Sequence, residues 1–252
     1  DKALLQHTGM YPKALTEKWH SAMKEQMMVK DDSLKSASEV ATRISKKHHD
    51  FHRMNVLPTI NPDGSQIAMM TNKNLHDDIF VLSKDASGKV EERHLVKGSQ
   101  SADYEALRYL DTGLSWSRDG SMVTFISKSN KDDAIYIVDA VSGEQLNRII
   151  FEDLNGLLSP AFSPNGDKVV FVGIQGGISD LFIVDINSGE RQRLTQDRFA
   201  NLHPAWSPDG RSIAFVTDQG EGTNEELLLF GDYDLALFNL DEGSTEMITT
   251  LE

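Results

Sequence analysis

Apolar residues between positions 57 and 250 fall in short runs, each closed by a polar turn, and the order of runs and turns comes round four times. The turn segments align as Leu57-Pro58-Thr59-Ile60-Asn61-Pro62-Asp63-Gly64, Gly113-Leu114-Ser115-Trp116-Ser117-Arg118-Asp119-Gly120, Ser159-Pro160-Ala161-Phe162-Ser163-Pro164-Asn165-Gly166 and His203-Pro204-Ala205-Trp206-Ser207-Pro208-Asp209-Gly210. After them come Ile67-Ala68-Met69-Met70, Val123-Thr124-Phe125-Ile126, Val169-Val170-Phe171-Val172 and Ile213-Ala214-Phe215-Val216. The closing glycines are 56, 46 and 44 residues apart, close to the period of a four-stranded propeller blade of about 40–50 residues.

The turn chemistry favours strands over helices. Proline pre-sets φ at the first central position, Asp or Asn tolerates the next, and glycine supplies a positive φ, so each turn joins two antiparallel strands. A third strand is predicted at Asp78–Leu82, Ala134–Asp139, Asp180–Asp185 and Asp234–Asn239, and a fourth around Leu95, Ile149, Leu194 and Ile248. The predicted fold class is an all-β propeller of four-stranded antiparallel blades, over about 57–96, 111–150, 158–195 and 202–250.

The leader differs. Leu15, Trp19, Ala22, Met23 and Met27 recur at helical spacing behind Pro12, which predicts an amphipathic helix over 12–29. Residues 1–39 are therefore assigned to a helical leader and 40–252 to the propeller. Residues 36–45 read two ways. Ser36 and Glu39 form a capping box, whereas Thr42-Arg43-Ile44-Ser45 matches the fourth-strand pattern of Gln192-Arg193-Leu194-Thr195, and the strand is favoured. Such a strand would need partners beyond Glu252, which predicts an incomplete ring, at least five blades in the whole protein, and open edges able to self-associate. Segment 99–110 predicts a short rim helix from its Ala, Leu and Glu content, and 218–232 is a second insertion, rich in glycine and acid.

The unit [Pro]-Ala-[Trp/Phe]-Ser-Pro-[Asp/Asn]-Gly-x-x-[Ile/Val]-[Ala/Val]-Phe-Val, followed by an Asp-[Leu/Ile]-[Phe/Tyr]-[Ile/Val] strand, resembles the WD-like repeat of TolB-type β-propellers. Ile60, Asn61 and Arg118 depart from it as turn variants. The resemblance implies a periplasmic or extracellular bacterial setting and a non-catalytic scaffold that binds envelope proteins or peptides through one face. It also implies two larger architectures: a propeller following a metallopeptidase-like domain, with the Trp19 helix as the tail of that region, or the substrate-filtering propeller of a prolyl-oligopeptidase-like enzyme.

Charge and composition narrow the classes. With 25 Lys+Arg against 39 Asp+Glu, the net charge of −14 opposes nucleic-acid binding and docking on an anionic membrane. No stretch approaches the roughly 20 apolar residues of a membrane span. The chain has no cysteine, which removes thiol nucleophiles and thiolate metal sites. Neither Gly-x-Ser-x-Gly nor His-Glu-x-x-His occurs, so no catalytic residue is assigned. The His48-His49-Asp50-Phe51-His52 run is read as a solvated connection rather than a metal site.

Asp78, Asp133, Asp180 and Asp234 recur at the head of the third strand. A ring of carboxylates could hold Ca²⁺ or a basic peptide. Alternatively each acid accepts hydrogen bonds within its own blade, the simpler reading for a repeated residue. Asp111, Ser159 and His203 enter the first strands, which line a propeller's channel, and are candidates for its mouth. No cofactor is assigned; calcium is the one weighed, and the acids of 218–234 lack the alternation and glycine placement of an EF-hand loop. Trp116, Phe162 and Trp206 are read as interblade core.

Overall fold

The computed structural model of the 252-residue chain describes residues 2–27, 35, 37–44, 54–72, 76–98, 104, 106–107, 113–220, 222–224, 226–227 and 229–249. The chain forms two compact units, Asp1–Lys47 and His48–Glu252. The first holds α1 (Lys2–Thr8), α2 (Pro12–Met27) and α3 (Ala37–Val40). Helix α2 starts at Pro12, where a missing N–H is harmless. It leaves Trp19 exposed while Leu15 and Met23 are half-buried.

The predicted strand over 42–45 does not form among the described residues: 41–44 carry no regular structure and α3 precedes them, while Ser45 lies outside the described residues. A three-residue likeness to a fourth strand cannot replace the ladder partners that make a strand stable.

The second unit is built from four antiparallel sheets, each in strand order along the chain. Blade 1 comprises β1 (Asn55–Ile60), β2 (Gln66–Thr71), β3 (Asp78–Lys84) and β4 (Val90–Val96). Blade 2 comprises β5 (Ala106–Leu107), β6 (Ser115–Trp116), β7 (Met122–Ser129), β8 (Asp132–Asp139) and β9 (Gln145–Ile150), with both β5 and β6 paired to β7. Blade 3 comprises β10 (Gly156–Phe162), β11 (Lys168–Gln175), β12 (Ile178–Asp185) and β13 (Arg191–Arg193). Blade 4 comprises β14 (Asn201–Trp206), β15 (Ser212–Thr217), β16 (Asp234–Asn239) and β17 (Ser244–Met247).

The repeated turn explains itself in hydrogen bonds. Gly120 N–H donates to the Ser117 carbonyl at 2.9 Å with φ 73°, and the Ser117 hydroxyl accepts from Met122 N–H at 2.9 Å. Ser163 and Ser207 do the same for Lys168 and Ser212. In blade 1 the side-chain oxygen of Asn61 replaces the hydroxyl, accepting from Gln66 N–H at 2.8 Å, so Asn is a chemical equivalent there. Asp119 and Asp209 are held below the usual carboxylate range, first by the hydroxyls of Ser117 and Ser207 and then by backbone N–H groups.

Blades pack in sequence through three cores. Met70, Ile79 and Val81 of blade 1 meet Val123, Phe125 and Tyr136 of blade 2. Ile126, Ile135 and Ile137 of blade 2 meet Phe171 and Phe182 of blade 3. Val170, Val172 and Leu181 of blade 3 meet Ile213, Phe215 and Phe238 of blade 4. Indole N–H groups lock neighbours, Trp116 to the Thr59 carbonyl (3.2 Å) and Trp206 to that of Ala161 (3.1 Å). The central strands β8 and β12 are buried over five successive residues, whereas β15 and β16 alternate. A strand packed on both faces loses the period-2 pattern, and one with an open face keeps it. Among the described residues no core joins blade 4 to blade 1, and the ring of sheets is open.

The helix predicted over 99–110 is corrected at Ala106–Leu107, which pair with Lys128 and Ser127 as strand. Leu107 and Tyr104 are buried in the core between blades 1 and 2, so packing overrides helix propensity. The rest of that segment lies outside the described residues, except Tyr104.

Candidate functional site

Each first strand breaks its ladder at one place. Pairing shifts between Val56 and Thr59, between Leu158 and Ala161, and between Leu202 and Ala205. Two residues are left unpaired in each bulge: Leu57-Pro58, Ser159-Pro160 and His203-Pro204. The first of each pair has left-handed backbone, at φ 53°, 49° and 52°. In blade 2 the same column holds Gly113, at φ 67°.

Left-handed backbone is uncommon for residues other than glycine and costs about 1–3 kcal/mol, and a following proline disfavours it further. Three such residues at one repeated position therefore mark a place where surrounding structure imposes conformation. Bulges re-aim side chains, and these three converge beside Gly113. A cavity of about 540 Å³ is lined by Val56 and Leu57, by Gly113, Leu114 and Ser115, by Ser159, Pro160 and Ala161, and by His203 and Pro204.

All four blades thus contribute to one central cavity through equivalent residues. Its walls are mostly apolar, and His203 adds an imidazole to them. His203 Nδ1 and Ser159 Oγ lie 3.3 Å apart, within hydrogen-bond distance, and the tautomer of the ring decides which donates. At the opposite end, where the repeated turns gather, Arg118 Nη1 donates to the Pro208 carbonyl at 3.2 Å, linking blade 2 to blade 4. The proline that the repeat would place at 118 could not make that bond.

Ser159 and His203 are thus together in the cavity. Asp111 lies outside the described residues. The pairing of β5 shows why its neighbourhood matters: Leu107 opposes Ser127 as Leu157 opposes Gly173, and Ser115 opposes Thr124 as Ala161 opposes Val170. Seven residues separate Leu107 from Ser115 in the sequence, whereas three separate Leu157 from Ala161. Of the residues between Leu107 and Ser115, Gly113 and Leu114 line the cavity.

The four acids do not share one position. Asp78, Asp180 and Asp234 pair with Thr71, Gly173 and Thr217 in one register column; blade 2 has Ala134 there, opposite Ser127. Asp133 is one residue earlier, on the other face of the strand, and its Oδ2 accepts from Leu157 N–H of blade 3 at 3.3 Å. The column acids are buried and face their own blades. Asp78 Oδ1 accepts from Gly98 N–H at 3.0 Å, and its Oδ2 lies 3.2 Å from His94 Nε2. Asp180 accepts from Arg193 Nη2 at 2.5 Å and from the Thr195 hydroxyl at 3.0 Å. Asp234 accepts from the Thr249 hydroxyl at 3.0 Å.

Among the described residues no group of three or more His, Cys, Asp or Glu is arranged to hold a metal ion. Burial pushes the Asp197 carboxyl above its usual range even though Asn201 and Phe199 N–H donate to it. The His48–His52 run lies outside the described residues.

Residues 112–224 match the TolB beta propeller domain. Over 78 residues the chain is 36% identical to the Tol-Pal system protein TolB of Gluconobacter oxydans, a match covering 31% of this chain and 17% of that protein. In three dimensions the chain is similar to TolB from Acinetobacter baumannii (TM-score 0.59, 22% identity, 79% of this chain and 44% of that one). It is also similar to a puromycin hydrolase (TM-score 0.61, 17% identity, 86% of this chain and 31% of that one). The matches take in less than half the length of each of these proteins. No helix of the described residues is long and apolar enough to cross a membrane. The blades between Asn55 and Met247 are those of a TolB-like β-propeller.

Proposed function

We propose that this propeller is a non-catalytic binding scaffold that receives a peptide or a segment of another protein in its central cavity. The observation that carries the reading is the column Leu57, Gly113, Ser159 and His203. Four blades turn equivalent backbone into left-handed geometry around one cavity of about 540 Å³, a volume within the range of pockets that take a ligand group. The apolar walls suit one or two apolar side chains, and the Ser159–His203 pair supplies a donor and an acceptor for the ligand backbone or a terminal group. The likeness to proteins named for the Tol-Pal system supports a place in the bacterial cell envelope, as a free module or as the accessory domain of a larger enzyme.

A random peptide library displayed on phage and selected on the wild-type chain tests this. Ala161 lines the cavity, so Ala161→Trp fills it from within. Enriched peptides that bind the wild type and lose the filled variant are the expected result. Peptides that hold both equally, or no enrichment at all, would overturn the proposal.

A further inference from the structure

We infer a second docking surface, separate from the cavity, on the hairpin inserted between β15 and β16, and its partner is a cationic amphipathic segment of another protein. Blades 2 and 3 join their second and third strands through Asn130-Lys131 and Gly176-Gly177, whereas blade 4 uses residues 218–233. Pairing of Gly156 with Ile174, beside Gly176-Gly177, places this kind of connection at the end of the blade where first strands begin.

The described residues of the insertion are tied by hydrogen bonds among themselves. Asn224 and Leu229 exchange backbone bonds at 2.7 and 3.1 Å, and the Asn224 side chain accepts from Leu227 N–H at 3.0 Å. The Thr223 hydroxyl donates to the Asp218 carbonyl at 2.5 Å and accepts from Gly231 N–H at 2.8 Å. A hairpin so tied would be expected to turn its apolar side chains inward. Instead Leu227, Leu229, Phe230 and Tyr233 are 68%, 57%, 50% and 48% exposed. Four large apolar side chains exposed within seven residues of one hairpin mark an interaction surface.

Charge identifies the partner. Residues 218–234 contain six Asp or Glu and no Lys, Arg or His. Asp218 and Asp234 are buried and satisfied within the blade, but Glu226 and Asp232 are exposed beside the apolar group. A cavity of about 340 Å³ opens at the foot of the hairpin, lined by Phe199, Gln219, Gly220, Thr223, Asn224 and Glu226. It accommodates a lysine or arginine head facing Glu226 and Asn224, while the apolar side of the partner covers Leu229 and Phe230. An anionic partner would meet uncompensated repulsion from these acids and from a chain of net charge −14.

The test uses a short fluorescein-labelled peptide of leucine and lysine, ordered so that the leucines share one helical face, and reads anisotropy against the full chain. Wild type should bind it, more weakly as salt rises. Leu229→Ser/Phe230→Ser should weaken binding about tenfold, the scale of losing two central apolar contacts. Glu226→Gln/Asp232→Asn should weaken it and flatten the salt dependence. Glu144→Gln/Glu190→Gln, which removes two exposed acids elsewhere, should bind as wild type, and a peptide with glutamate for lysine should not bind. His203→Ala separates this surface from the cavity: unchanged binding supports the hairpin, and lost binding assigns the peptide to the cavity. The inference is also overturned if wild type does not bind, if the serine variant binds like wild type, or if the distant pair weakens binding as much as the local one.

Discussion

Replacing Arg193 by Met asks what the acid at the head of the third strand is for. Asp180 is 1% exposed, and one of its oxygens accepts from Arg193 at 2.5 Å while the other accepts from the Thr195 hydroxyl. Methionine keeps the aliphatic stem over Phe182 and removes the guanidinium, leaving a buried carboxylate with a single hydroxyl. Breaking a fully buried pair costs about 3–5 kcal/mol. The Arg193 side chain is 32% exposed, so water partly replaces it, and a loss of about 2 kcal/mol is the working value. With an m-value of about 2 kcal/mol/M in urea the midpoint should fall by about 1 M. Adding Asp180→Asn should recover about half of that, because a neutral amide is cheaper to leave unpaired than a carboxylate. Arg191→Met is the contrast: its partner Asp153 is 51% exposed, and the loss should stay near 1 kcal/mol, cation–π contact with Phe151 and Phe182 included. The assay is urea unfolding followed by tryptophan fluorescence. A cost for Arg193→Met below about 0.5 kcal/mol, or a double variant weaker than the single, would refute the assignment of Asp180 to its own blade.

Three further outcomes follow from the same geometry. Gly143→Ala should destabilise by about 2 kcal/mol or more, since a Cβ would sit 2.1 Å from the Leu95 carbonyl oxygen on a backbone at φ 73°; thermal melting checks it. Ser159→Gly should raise stability by about 1 kcal/mol by relieving left-handed strain, yet lower peptide capture by removing the hydroxyl beside His203; calorimetry and the phage-selected peptides measure the two halves. Asp197→Asn should raise the melting temperature at pH 7 and do so less near pH 4: the folded pKa is raised above the unfolded one by burial, so the penalty on the charged form is present at high pH and fades as pH falls through the folded value. An equal gain at both pH values would disprove that cause.

What the sequence revealed and what it hid divide along a physical line. The blades were legible because a turn is local: Ser117, Arg118, Asp119 and Gly120 close their hairpin with bonds among themselves and Met122, and a local rule repeated four times leaves a period in the sequence. Register is not local. Asp133 looked like the equivalent of Asp180 because it is the nearest acid, but counted from equally short two-residue turns the column position of blade 2 is Ala134, and Asp133 lies on the other face, toward Leu157. The rim helix was misread at Ala106–Leu107 for the same reason, since Leu107 pairs with Ser127 and is held by the core between blades 1 and 2. The strand over 42–45 lacked any sheet to join.

The cavity, by contrast, had a signal in plain view. In the aligned turns Leu57, Gly113, Ser159 and His203 share one column, and three of the four are followed by a proline that would push them toward extended backbone. The single glycine is the clue: a position where one repeat uses glycine is a position where the others must tolerate positive φ. Once that is granted, the strain, the bulge and the convergence on one cavity are a single fact seen three ways. The residue at that column lines the cavity in every blade. Leucine, serine and histidine differ at a column that lines the cavity, whereas the aspartates of the third strand recur because each meets its own blade.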